Sequence, residues 1–247
     1  MLIVGNWKAY VETLDKARRL YAAAKRIGAA GHHDVVIAPS GPHLGYLSAT
    51  NRSSVEFAAQ DISATLGGAA TGEMTAAAVA SVKASYVIVG HSERRAMGET
   101  DSEILEKVRH ALAQDLTPIL CVGERERDAE AKYLGTLRAQ IGSVYSPLSP
   151  KERTRIVLAY EPVWAIGKSA AEAITPADLT EMILYLRKLL SEFLPGKASS
   201  KVRILYGGSV EPGNARALAG GSGIDGFLVG RASTEAQAFG ALAKALA

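Results

Sequence analysis

Residues 156–168 read Ile-Val-Leu-Ala-Tyr-Glu-Pro-Val-Trp-Ala-Ile-Gly-Lys. The apolar run from Ile156 to Tyr160 reads as a strand, and Pro162, which has no N–H for a ladder, stops it just after Glu161. A carboxylate therefore stands at a strand's C-terminal end. Trp164, Ala165, Ile166 and Gly167 are too apolar for an ordinary solvated loop and too short and glycine-punctuated for a helix, so the segment is expected to close over something. A carboxylate covered by apolar residues is a proton-transfer candidate, because desolvation disfavours its charged form. Taken alone, a helix-capping or salt-bridged glutamate is the plainer alternative.

Working outward, the same pattern recurs. Short apolar runs at Leu2–Gly5, Asp34–Ala38, Val55–Gln60, Tyr86–Gly90, Thr117–Val122, Ile156–Glu161, Arg203–Gly207 and Gly226–Gly230 each precede a helical pattern. Most are continuously apolar, the mark of strands buried on both faces of a parallel sheet. Between them, Thr100-Asp-Ser-Glu103 is a capping box opening a face of Ile104, Leu105, Val108, Ala111 and Leu112. Thr175-Pro176 predicts an N-cap with proline at the first helical position, and Pro195 lies beyond that helix's end. The helix over 43–49 is the weakest of the set. Eight strand–helix alternations without a linker predict an α/β protein, a single (β/α)8 barrel domain over residues 1–247. A doubly wound open sheet is the runner-up, and its glycine-rich turn after the first strand is missing.

Composition narrows the partners. The chain carries 28 Lys and Arg against 25 Asp and Glu, a formal charge of +3, with no run of one sign. This disfavours nucleic acid or an anionic membrane as main partner and leaves room for a basic pocket. The single Cys121 lies in an apolar run and cannot form an internal disulfide, so a reducing compartment is expected. With no basic leader and no run of about 18 apolar residues, a cytoplasmic protein is expected.

In a barrel of this kind the chemistry belongs at the strands' C-terminal ends. Asn6-Trp7-Lys8 follows the first, and the lysine there can balance an anionic substrate. Gly90-His91-Ser92-Glu93 follows the fourth, with a helix expected just beyond, whose positive end favours a neutral imidazole able to donate to a carbonyl oxygen. The other histidines, His32, His33, His43 and His110, read as exposed and structural. Gly207-Gly208-Ser209 after the seventh strand and Gly230-Arg231 after the eighth fit a phosphate site of backbone N–H groups. A metal constellation, a phosphate-loop motif and a lysine inside a strand, as a Schiff-base barrel enzyme needs, are all absent from the sequence.

Together Asn6-Trp7-Lys8, Gly90-His91-Ser92-Glu93-Arg94-Arg95, Ala159-Tyr-Glu-Pro-Val-Trp-Ala-Ile-Gly167 and Tyr206-Gly-Gly-Ser-Val210 resemble the triosephosphate isomerases. The likeness spans the chain, including Ala59-Gln-Asp61, Thr71-Gly-Glu73 and Pro118-Ile-Leu-Cys-Val-Gly-Glu124. It implies a TIM barrel, a homodimer, a place in glycolysis and gluconeogenesis, and interconversion of dihydroxyacetone phosphate and D-glyceraldehyde 3-phosphate without cofactor or metal. In that scheme Glu161 is the base, His91 the electrophile, and Lys8 and Asn6 stabilise developing charge. Gly167, Ser209, Gly230 and the backbone of Arg231 hold phosphate, and Ile166 and Leu228 form an apolar clamp. The chain departs from the family at Tyr10 (usually Asn) and at Ala70 (usually aromatic), both expected near the dimer contact. It departs also at Lys168-Ser-Ala-Ala-Glu172, which replaces the usual hinge, and at Arg231, usually a second glycine. A barrel enzyme of another phosphorylated substrate need not pair a histidine after strand four with a glutamate after strand six. A non-catalytic descendant is expected to lose Lys8, His91 or Glu161.

Overall fold

A computed structural model describes residues 1–168 and 173–247. Eight parallel strands close in sequence order into a barrel: β1 Leu2–Asn6, β2 Asp34–Ala38, β3 Glu56–Ala59, β4 Tyr86–Val89, β5 Thr117–Val122, β6 Val157–Tyr160, β7 Ile204–Tyr206 and β8 Gly226–Val229. Every expected strand is present, and the bounds differ by a residue or two. The helices are α1 Leu14–Ala29, α2 Gly41–Ala49, α3 Ala76–Ser81, α4 Ser92–Ala96, α5 Asp101–Ala113, α6 Tyr133–Tyr145, α7 Pro150–Arg153, α8 Pro176–Phe193, α9 Ala198–Lys201, α10 Ala215–Ala219 and α11 Ala236–Ala245. The weakest prediction, the second helix, is real and begins earlier, with Pro42 in its first turn.

The strands are buried on both faces because two apolar layers meet them. Leu2, Val4, Val36, Ile88, Ile119, Ala159, Leu205 and Leu228 fill the barrel's interior. Their neighbours Ile3, Val35, Ile37, Val87, Leu120, Leu158 and Phe227 point out under the helices. Closure is made where β1 pairs with β8, Leu2 opposite Gly226 and Gly5 opposite Val229. A Cβ at Gly226 would sit 1.8 Å from the Leu2 carbonyl oxygen, so only glycine lets the two strands approach there.

The helix caps follow the sequence. Thr100 accepts the Glu103 N–H while Glu103 takes the Thr100 N–H, and Thr175 accepts the N–H of Asp178 with Pro176 at the first helical position. Between Pro162 and Ile166, where no helix is expected, the chain makes one 3₁₀ turn, Val163–Ala165, because Pro162 presets its φ and its carbonyl accepts the Ala165 N–H at 2.8 Å. The histidine reading needs correction. His43 is buried, paired through Nδ1 with the Ser40 hydroxyl at 3.0 Å, and His33 and His110 are half-buried. Their helix and loop positions gave no sign of which way the rings face. Of the altered hinge, residues 169–172 lie outside the described part. Among the described residues no helix is long and apolar enough to cross a membrane.

Candidate active site

The strands end on one rim, and their last residues deliver the side chains. A cleft of about 180 Å³ there is lined by all ten residues singled out from the sequence: Asn6, Lys8, His91, Glu161, Ile166, Gly167, Ser209, Leu228, Gly230 and Arg231. A larger cavity of about 690 Å³ lies beside it, toward β5 and α6, and shares Glu161. It lacks Lys8 and His91, so the convergent polar groups belong to the smaller cleft.

Glu161 is 2% exposed. Its Oε2 accepts the Ser92 N–H at 3.0 Å, at the start of α4, and its Oε1 lies 3.2 Å from His91 Nε2. His91 is the N-cap of α4, and its Nδ1 accepts the Glu93 N–H at 3.2 Å. An accepting Nδ1 carries no proton, so the hydrogen sits on Nε2 and the ring is neutral. The tautomer is thus set by the helix start. Gly90, at φ +70°, turns the chain into this helix. Arg95 locks the turn, donating to the Gly90 carbonyl at 2.9 Å and pairing with Asp101 at 2.6 Å.

Lys8 holds a left-handed conformation, φ +47°, which costs a side-chain-bearing residue about 1–3 kcal/mol and persists only where the surroundings fix it. They do so here. The Lys8 N–H donates to Asn6 Oδ1 at 3.0 Å, and Gln60 Nε2 donates to the Lys8 and Ala38 carbonyls, each at 2.9 Å. The strained turn aims the ammonium into the cleft, where Nζ pairs with Glu93 at 2.7 Å. At the opposite end Ser209 donates its hydroxyl to the Ala165 carbonyl at 2.9 Å, joining the segments after β6 and β7. Gly230 leads into the 3₁₀ turn Arg231–Thr234, whose first N–H groups have no acceptor within the turn. The turn's N–H groups suit an anion.

The roles of several neighbours of Glu161 escaped the sequence reading. A Cβ on Gly123 would fall 1.7 Å from the Glu161 carbonyl oxygen, and one on Gly207 would lie 2.9 Å from Glu161 Cγ. Gly123 makes room for the Glu161 backbone and Gly207 for its side chain; glycine at adjoining strand ends is the only signal the sequence offers. Glu124, 1% exposed, accepts from Tyr160 Oη at 2.8 Å and Trp164 Nε1 at 2.9 Å, anchoring the apolar segment after Glu161. Burial and the Glu124 carboxylate push the Tyr160 phenol well up, so it remains a donor. Tyr10, expected near a dimer contact, also lines the cleft and is 55% exposed. Cys121 is buried, and desolvation with the nearby Glu161 charge raises its thiol well above the ordinary range, which fits core filler rather than a nucleophile. Among the described residues no cluster of three or more His, Cys, Asp or Glu side chains is placed to hold a metal ion.

Comparison with known proteins agrees with this geometry. The sequence profile described as triosephosphate isomerase matches residues 1–246. A protein of that name from Thermus thermophilus is 41% identical over 248 residues, covering 98% of this chain and 97% of the relative. Those from Hahella chejuensis, at 41% over 242 residues, and Roseiflexus castenholzii, at 39% over 241 residues, each cover 96% of this chain and 95% and 94% of their own length. With the barrel, the cleft and these relatives in agreement over nearly its whole length, the chain belongs to the triosephosphate isomerase family.

Proposed function

We propose that residues 1–247 act as one (β/α)8 domain that interconverts dihydroxyacetone phosphate and D-glyceraldehyde 3-phosphate by proton transfer through an enediolate. The observation that carries this reading is the meeting, in one cleft, of a buried Glu161 carboxylate and a His91 ring protonated on Nε2, 3.2 Å apart. Glu161 exchanges the Ser92 N–H for the C–H of the carbon next to the substrate carbonyl, takes that proton, and returns it to the neighbouring carbon. His91 donates its Nε2 hydrogen to the carbonyl oxygen as negative charge grows there, and being neutral it can take the proton back. Lys8, freed from Glu93, and Asn6 stabilise the same oxygens. Gly167, Ser209, Gly230 and the Arg231 N–H hold the phosphate, while Ile166 and Leu228 cover the carboxylate and exclude water, which also keeps the enediolate from losing phosphate.

The reading includes a homodimer. Of the five large apolar side chains left exposed among the described residues, Tyr10, Tyr46, Leu66 and Met97 belong to segments after β1, β2, β3 and β4 and therefore to one half of the barrel, while Leu184 stands apart on α8. It includes a cytoplasmic place of action in glycolysis and gluconeogenesis, supported by one unpaired, buried cysteine. A coupled assay on both triose phosphates tests the activity. The parent turns both over, and Glu161→Gln loses about a hundredfold to ten-thousandfold in kcat. An inert, folded parent overturns the assignment.

A further inference from the structure

Arg231 does two separable things. Its N–H opens the turn after β8, a position any residue can fill, but its guanidinium leaves the turn and meets Glu211 from the segment after β7, Nη2 to Oε1 at 3.2 Å. Both residues line the cleft, with side chains 70% and 35% exposed. The cleft is therefore bracketed by two cation–carboxylate pairs, Lys8–Glu93 at the reacting end and Arg231–Glu211 at the glycine turns. Its charged lining is two cations against three carboxylates, Glu161 being the third. With His91 neutral, a doubly negative phosphate approaches a site whose own charge opposes it unless the cations turn toward it. Lys8 stands between the two ends, its Nζ 4.0 Å from where a Cβ on Gly230 would sit, and Arg231 is the other cation lining the cleft, on the side of the glycine turns away from the reacting groups. A guanidinium is a planar fork matched to two phosphate oxygens, and Glu211 offers the same kind of acceptor, so one anion can replace the other at small cost.

We propose that the Arg231 side chain binds the substrate's phosphate, and that Glu211 occupies it in the empty cleft and so sets how strongly the cleft takes phosphate. This rests on a phosphorylated substrate, as in the proposed function. The pair is exposed and contributes little to folding, so a purely structural role predicts no effect on ligand binding.

The test titrates inorganic phosphate by calorimetry and as an inhibitor of turnover, on the parent, Arg231→Gln, Arg231→Lys, Glu211→Gln and the double variant Glu211→Gln/Arg231→Gln, with Tm as a folding control. Arg231→Gln is expected to weaken phosphate and raise KM roughly fivefold, more than it lowers kcat. Arg231→Lys recovers part of the loss. Glu211→Gln tightens phosphate severalfold, and the double variant matches Arg231→Gln because Glu211 acts through the arginine. Unchanged phosphate affinity in Arg231→Gln, or tightening by Glu211→Gln that survives without the arginine, overturns the proposal. Calorimetry needs no turnover. Arg231-dependent phosphate binding in a parent that fails to isomerise sinks the proposed function alone, and full isomerisation indifferent to Arg231 sinks this inference alone.

Discussion

At Gly123 a hydrogen stands where any other residue would place a carbon 1.7 Å from the Glu161 carbonyl oxygen. That oxygen belongs to rigid backbone, since the Glu161 N–H is itself held by Val122 at 2.8 Å. Gly123→Ala therefore has to displace the base. A shift of the order of 1 Å in a reacting group costs about a hundredfold, so the variant is expected to lose roughly that in kcat, read in the coupled assay, and parent-like turnover would contradict the geometry. Glu161, His91 and Lys8 were legible in the sequence because each is a chemically distinctive residue at the end of an apolar run. What Gly123, Gly207 and the Ser92 N–H do for Glu161 was not, because each acts through a contact between strand ends far apart in sequence that no local pattern encodes.

Among the elements, α5 is tied to the rim by charge. Lys107, 6% exposed, reaches both Asp61 oxygens at 2.8 Å, beyond β3, and pairs with Glu99 ahead of α5. Removing the lysine leaves Arg94, 3.0 Å from Asp61 and 3.9 Å from Glu99, as the one cation facing both carboxylates. Lys107→Met is expected to cost about 1–3 kcal/mol, seen as a lower urea midpoint. A midpoint within experimental error of the parent would show that the cluster is solvated. At the other end of the molecule His33 donates its Nε2 hydrogen to the Ala243 carbonyl at 2.9 Å, joining β2's approach to α11. Burial lowers its pKa below the ordinary 6.5, although the Ala243 bond works in the opposite direction. A group that protonates more readily when unfolded withdraws stability as pH falls below about 6.5 and has no effect above it. His33→Gln should lose less Tm than the parent between pH 7 and 5, and equal losses would remove His33 as a cause. The caps of α5 and α8 were readable from Thr100, Glu103, Thr175 and Pro176, whereas Lys107 lies within a helical pattern that says nothing of a distant Asp61.

At the scale of the whole molecule, the order of strands was legible because a parallel barrel repeats one unit and buries every strand on both faces. The proposed dimer rests, on the sequence side, on the resemblance alone. Its physical counterpart is the apolar side of the first four βα segments, so light scattering at micromolar concentration should give twice the chain mass. Leu66→Glu with Met97→Glu should move it toward the single-chain value, because two carboxylates would be desolvated. A fully active single chain in the parent would contradict the dimer.

The seam between β1 and β8 sets when this protein can become itself during synthesis. The first strand emerges from the ribosome more than two hundred residues ahead of its partner at Gly226–Val229. Until then a growing chain carries one unpaired strand edge at its beginning and another at its advancing end, each able to recruit a neighbouring nascent chain. Translation speed over the last strand–helix unit, and holdase binding before it, should therefore govern yield in the cell more strongly than any single contact in the finished barrel.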